Sequence, residues 1–498
     1  MPGEPASSLR GRVLRGIAWK VISQVFGQGA STIVAIILAR LLLPSDYGLA
    51  AMVIVFAAVV PVFSDVALGA ALVQRRHLTE ADRSTVFWTS VAVGAVFTVL
   101  GVAASWPIAD FYGEPEVQPL FAAISLTFLV TALSATQKAL LTRAMNFRRL
   151  ELLLMGANLA AGVGGIVLAA AGYGAWAIVG QQVIAAVVTT ALLWTLSGWT
   201  PSFTFSLASL RSMAGFSANV FATRLLFYVN RNADNLLIGR VFGSAALGPY
   251  ALAYNLMLVP SSRLTWPVTE VLFPAFSEIQ NDARRVARAW FRVTRVIGAV
   301  TVPAMLGLII VAPEFVVVVL GDRWAAAIPL VRLLAWVGLL QSLQGLNSSI
   351  LLARNRTRTL LRYACVIAVA TVVSFVAGAH WGVVGVAAGY AVASTIVEPY
   401  YTWLTARALD VSLRDFAASL SGVAQAAAVM TVIVFGARSF LIEQGASDSV
   451  RLVSLIGLGI VVYVPLLAWR APEVVGELRA LRRQSDSVPV AVPATAET

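Results

Sequence analysis

Short polar gaps divide this 498-residue chain into fourteen apolar windows, centred near residues 28, 60, 97, 128, 161, 186, 226, 259, 303, 341, 369, 395, 427 and 460. Each is about 20 residues long, the length an α-helix needs to cross the hydrocarbon of a bilayer. Only 12% of the residues are charged and 59% are hydrophobic, against about 25% charged in a soluble globular chain. The expected fold class is therefore an all-α polytopic membrane protein with about fourteen transmembrane helices.

The gaps carry a second signal. With the N-terminus on the cytoplasmic side, the gaps on that side hold 27 Lys and Arg, among them Arg10, Arg12, Arg15, Lys20, Arg75, Arg76, Arg284, Arg285, Arg288, Arg482 and Arg483, whereas the opposite gaps hold five: Arg40, Arg240, Arg323, Arg438 and Arg451. That alternation follows the positive-inside rule and places both termini in the cytoplasm. It also accounts for the +12 net charge without a nucleic-acid partner. Arg10 to Lys20 resemble the start of a signal peptide, but no small-residue cleavage site precedes Arg40, so a retained first helix is expected. Cys365 is the single cysteine, and His77 and His380 are far apart in sequence, which leaves no disulfide and no metal-ligand spacing. No cofactor is expected.

A repeat underlies the windows. At an offset of about 200 residues Arg40 matches Arg240, Gly48 matches Gly248, Ala51 matches Ala251 and Val60-Pro61 parallels Val259-Pro260; by Arg143 and Arg354 the offset has drifted to 211. Two related halves are a common plan among secondary transporters.

Polar side chains inside the windows are the candidate working residues. Arg224 and Arg231 stand seven apart, on one helical face, and an arginine at the centre of a membrane helix costs about 2.5 to 3.5 kcal/mol unless it faces a partner or a watered cavity. Lys20, Gln24, Gln28 and Ser31 form a stripe in the first window, and the offset places Arg224, Tyr228 and Arg231 opposite Gln24, Gln28 and Ser31. Snorkelling of Lys20 and Arg231 to the two surfaces is the plainer alternative. Gln341, Gln344 and Asn347 make a further polar strip, which either lines a cavity or bonds between helices. The second and eighth windows each pass a Val-Pro bend and meet a charge, Asp65 in one and Arg263 in the other. They are candidates for a gating ion pair; bonding to backbone groups freed by the prolines is the alternative. Glu270 and Glu398 are candidate acceptors of a coupling proton, with Glu398 the better placed. Gly156, Gly162, Gly164 and Gly165 suit close helix packing, and residues 274–293 read as an amphipathic surface helix.

The stretches ARLLLPSDYG (Ala39 to Gly48), FSDVALGAALVQRRHLTEADRSTVFW (Phe63 to Trp88), NADNLLIGRVFGSAALGPYALAYNL (Asn232 to Leu256) and VLFPAFSEIQND (Val271 to Asp282) resemble, in order, the blocks of the polysaccharide (O-antigen type) flippases of the multidrug/oligosaccharidyl-lipid/polysaccharide exporter superfamily. The resemblance implies two six-helix lobes around a central cavity with two further helices, which on this chain gives 1–205, 206–410 and 411–472, followed by a cytoplasmic tail at 473–498. It implies alternating access that carries an undecaprenyl-pyrophosphate-linked oligosaccharide across the bacterial plasma membrane, H+ or Na+ coupling, and a polymerase and glycosyltransferases as pathway partners. In related flippases for peptidoglycan precursor, cationic residues of the first and the seventh-to-eighth helices engage the pyrophosphate; Lys20, Arg224, Arg231 and Arg263 are the counterparts by position. The first helix departs from that pattern, offering one lysine and glutamines where arginines cluster.

Two other readings exist. A cation or drug antiporter of the same superfamily would present carboxylates to its cargo, and the deep charges here are mostly arginines. A membrane-embedded glycan polymerase or ligase needs a large outer loop with acid-base groups, and the outer gaps are no longer than about 20 residues.

Overall fold

The computed structural model describes residues 27, 29–58, 72, 78–144, 146–207, 210, 217–474 and 476–477, with the backbone alone at 147, 217–231, 270–271 and 273–275. Among the described residues there is no β-strand. The helices in chain order are α1 (Gly29–Leu41), α2 (Pro44–Ala57), α3 (Glu80–Tyr112), α4 (Val117–Arg143), α5 (Phe147–Ala170), α6 (Trp176–Ser197), α7 (Ser217–Pro260) and α8 (Trp266–Glu278). They continue as α9 (Ala283–Phe315), α10 (Ile328–Gln344), α11 (Asn347–Ala353), α12 (Thr357–Ala379), α13 (Gly382–Ala408), α14 (Leu413–Glu443) and α15 (Asp448–Arg470). Among the described residues eleven helical segments are long and apolar enough to cross a membrane. They fall on eleven expected centres, those from 97 to 186 and from 259 to 460. Residues 28 and 60 lie outside the described residues and residue 226 lies where only the backbone of α7 is described, so the all-α polytopic class holds while the count of fourteen stays an expectation.

Helix ends follow local chemistry. Thr79 accepts from the Asp82 amide at 3.2 Å while Asp82 accepts from the Thr79 amide at 3.0 Å. Ser412 and Asp415 repeat this reciprocal cap at the start of α14. Each satisfies two of the amides that a helix start leaves unpaired. Gly113 ends α3 in the left-handed region, φ 71°, where a Cβ is unfavourable.

The chain packs as two compact units, Met1–Ala251 and Leu252–Thr498, with the boundary inside α7. In the first unit, glycines set the helix spacing. A Cβ on Gly162 would meet Val34 at 2.8 Å, one on Gly164 would meet Ile184 at 2.4 Å and one on Gly165 would meet Gln181 at 3.1 Å, which draws α5 against α1 and α6. Gly156, expected to pack likewise, has open space at its Cβ position.

The tightest approach of that unit joins the two sequence repeats. A Cβ on Gly48 of α2 would lie 1.8 Å from the Ser244 carbonyl oxygen, and a Cβ on Gly248 of α7 would lie 1.8 Å from the Pro44 carbonyl oxygen. The 200-residue offset carries Pro44 onto Ser244 and Gly48 onto Gly248, so one contact is the repeat image of the other. That reciprocity is what a two-fold-related pair of surfaces produces. Here it arises within one chain. The helix α7 is interrupted at Gly243, at φ 76° and ψ −176°; helix resumes at Ser244 and runs through Pro249.

The second unit holds an aromatic core in which Trp290 stacks on Phe416 at 4.7 Å beside Phe276 and Ile350. Its apolar seam joins Ile310 and Val311 of α9 to Met430 and Val434 of α14 and Leu455 of α15. The single amphipathic helix expected at 274–293 is instead cut by a turn between Glu278 and Ala283, where Asp282 accepts from the Arg285 amide at 3.0 Å. An acceptor that caps a new helix there defeats continuity.

Because a backbone carbonyl cannot swing aside as a side chain does, Gly248→Val should exceed the about 1 to 3 kcal/mol typical of overpacking. The expected result is a lowered unfolding midpoint of detergent-solubilised protein, followed by size-exclusion chromatography, while Gly436→Ala, where nothing lies within 4 Å, leaves the midpoint unchanged.

Candidate functional site

The second unit gathers the predicted polar strip into one cluster. Gln341 donates to the Tyr390 hydroxyl at 2.8 Å. Gln344 accepts at its side-chain oxygen from Thr402 at 2.9 Å and from the Asn347 amide. Tyr390, Ser394, Glu398 and Thr402 recur every fourth residue along α13, so they share one side of that helix, and all four are buried. Helical periodicity on α10, α11 and α13 therefore brings the cluster together.

Glu398 is its ionisable member. It is 4% exposed, and Tyr363 of α12 donates to its Oε2 at 3.3 Å while stacking on Tyr401 at 3.6 Å. Among the described residues no lysine or arginine pairs with it. The side-chain oxygens of Asn347 and Ser394 are buried without a hydrogen-bond partner. An unpaired carboxylate is costly inside a membrane, so this arrangement suits a carboxyl group that takes up a proton or a small cation.

A second buried carboxylate is built differently. Glu314, at the end of α9 and 1% exposed, accepts from Arg438 Nε at 2.9 and 3.1 Å and lies 3.6 Å from Arg451 Nε; Arg451 also pairs with Asp448. The cluster ties α9 to α14 and α15. Sequence counting treated Arg438 and Arg451 as solvated loop charges and passed over Glu314. The signal for it was a carboxylate set in the apolar run of residues 308–320.

The other predicted residues divide by position. Lys20, Gln24, Gln28 and Asp65 lie outside the described residues. Arg224, Tyr228 and Arg231 sit on α7 with their side chains outside them, and Glu270 is likewise described by its backbone alone. Ser31 opens on a cavity of about 350 Å³ between α1, α5 and α6. Arg263 stands exposed in the π-helical turn Ser261–Thr265. On α7, Asp234 is buried and accepts from the Tyr250 hydroxyl at 2.7 Å, a bond that spans the Gly243 break. Glu114, from the loop after α3, accepts from the Ser244 amide and hydroxyl at 3.1 and 2.8 Å, capping the helix where it resumes.

Eleven bilayer-length helices, paired sequence repeats and buried polar groups within the spans define a multi-pass membrane transporter fold. In fold the chain is similar to the lipid II flippase MurJ in its inward closed conformation, with a TM-score of 0.74 over 92% of this chain and all of that one at 16% identity. Residues 37–329 match the family described as polysaccharide biosynthesis protein, and the chain belongs to that family. It is 30% identical over 355 residues to the lipopolysaccharide biosynthesis protein WzxC of Escherichia coli (strain K12), covering 70% of this chain and 71% of that one. To the teichuronic acid biosynthesis protein TuaB of Bacillus subtilis (strain 168) it is 28% identical over 426 residues, or 83% of this chain and 86% of that one.

Proposed function

We propose that this protein flips an undecaprenyl-pyrophosphate-linked oligosaccharide from the cytoplasmic to the outer leaflet of a bacterial plasma membrane by alternating access, for assembly of a cell-surface polysaccharide. The observation that carries this reading is α7 itself. In a chain of the polysaccharide biosynthesis family, a continuous helix up to Gly243 holds Arg224 and Arg231 two turns apart, and guanidinium groups suit the oxygens of a diphosphate. In a low-dielectric cavity such contacts strengthen. The prenyl chain needs no protein pocket, because the surrounding lipid is its solvent.

Both termini are cytoplasmic in this reading, on the strength of the arginine asymmetry. The crossing at Gly48 and Gly248 then lies on the outer side, where its close packing shuts the path to the outer leaflet. Glu398 supplies the coupling: taking up a proton removes a buried negative charge and alters its bond with Tyr363. The glycosyltransferases and the polymerase of the same pathway act before and after the transfer.

Two tests follow from these assignments. Arg224→Ala should abolish surface glycan in a deletion strain while membrane insertion and protein level match the wild type; undiminished glycan from that variant contradicts the cavity assignment. Glu398→Gln should make transport by reconstituted protein insensitive to a protonophore that slows the wild type, and a variant that still responds fully would remove Glu398 from the coupling.

A further inference from the structure

The cavity beneath Ser31 is lined by a set of groups that the sequence repeat does not reveal. Three amide-bearing residues line it: Asn158 from α5 and the adjacent Gln181 and Gln182 from α6, together with Ser31 of α1. Val34, Met155 and Leu159 complete an apolar wall. Asn158 is the twelfth residue of the 24 in α5, so at 1.5 Å per residue it lies about 16 Å along the helix, near mid-membrane. None of the three amides has a hydrogen-bond partner among the described residues. Asn158 and Gln182 are exposed and Gln181 is half-buried. Ser31 is the contrast, because its hydroxyl donates to the Gly27 carbonyl at 2.8 Å.

Amides left unpaired at this depth are unfavourable in hydrocarbon, by several kcal/mol per group on apolar-solvent scales. Their position on a cavity wall, held open between helices that Gly162, Gly164 and Gly165 draw together elsewhere, means that they meet water or a polar ligand. The chemistry of the set narrows the ligand. Each carboxamide offers two donors and an acceptor with no charge; among the described residues the cavity walls carry no ionisable side chain. That combination matches the alternating donors and acceptors of a sugar's hydroxyl and acetamido groups and gives no preference to a phosphate or a cation. A volume of about 350 Å³ falls within the range of small-molecule pockets.

We propose that Asn158, Gln181 and Gln182, with Ser31, form a subsite for one uncharged sugar residue of the lipid-linked glycan. This rests on the flippase reading above and assigns the sugar end of the cargo, as the arginines of α7 are assigned the diphosphate end. The amides hold hydroxyl groups that would otherwise lose their water, and the adjacent methionine and leucine cover the apolar face of the ring.

The test uses the full-length protein in vesicles of phosphatidylethanolamine and phosphatidylglycerol, with two fluorescent probes: undecaprenyl diphosphate carrying a neutral N-acetylhexosamine, and undecaprenyl diphosphate alone. The wild type should move the sugar-bearing probe faster. In Asn158→Leu and in Gln182→Leu the ratio of the two rates should fall about tenfold, as the loss of one or two hydrogen bonds to a desolvated ligand implies, with the rate for the sugar-free probe unchanged. Gln182→Asn should retain part of the preference, and Gly436→Ala, which does not line the cavity and has open space at its Cβ position, all of it. An unchanged ratio in both leucine variants overturns the subsite while leaving the flippase reading intact. Equal loss of both rates marks a folding role and also overturns it. If the wild type moves neither probe, the flippase reading fails and takes the subsite with it.

Discussion

Gly48 and Gly248 fix how closely the two repeats of this chain approach, because at each of them the neighbouring carbonyl stands where any other residue would carry its Cβ. The elements around the crossing depend on it. Gly243 interrupts α7 just before the contact, Glu114 caps the helix that resumes at Ser244, and Tyr250 reaches back to Asp234 across the interruption. A reciprocal contact of this kind has no intermediate setting: the carbonyls either seat over the glycines or part from them. Packed interfaces switch between discrete arrangements rather than deform continuously, which is the property that the proposed alternating access would require of this contact.

Within the second unit, the two buried carboxylates stand in different surroundings. Glu314 is surrounded by guanidinium groups from two other helices, so removing either side would strand a charge in a low-dielectric interior, a change that costs about 3 to 5 kcal/mol in buried pairs. That cluster binds helices. Glu398 has a tyrosine hydroxyl and unpartnered amide and hydroxyl oxygens nearby on α11 and α13, the setting on which its proposed coupling role rests. The same test applied to the first unit distinguishes Ser31, already bonded to its own helix, from the open amides of Asn158, Gln181 and Gln182.

Much of the architecture was legible in the sequence because it rests on one-dimensional signals. Window length announces each span, and the eleven described spans lie where hydropathy put them. The repeat offset that linked Gly48 to Gly248 reappears in space as the reciprocal contact. What escaped depends on partners distant in sequence. Arg438 and Glu314 are 124 residues apart, and nothing in either neighbourhood names the other. Pro249 lies in the second turn of the helix that resumes at Ser244, and α7 runs on through it although a proline there removes one backbone bond. Gly156 and Gly162 look alike in sequence, and only the position of α1 makes one of them a packing residue. The strip of Gln341, Gln344 and Asn347 was visible by its spacing, whereas Tyr363, Tyr390 and Thr402 entered the site only through the fold.

Carriage of a lipid-linked glycan across a bilayer is the activity proposed for this chain. Purified protein reconstituted into liposomes, with an undecaprenyl-diphosphate oligosaccharide confined to one leaflet, tests it directly when exposure of the glycan to an added lectin is followed in time. A flippase predicts lectin binding on the opposite side at a rate proportional to the protein reconstituted. Appearance no faster than in protein-free liposomes, under every imposed ion gradient, would contradict it.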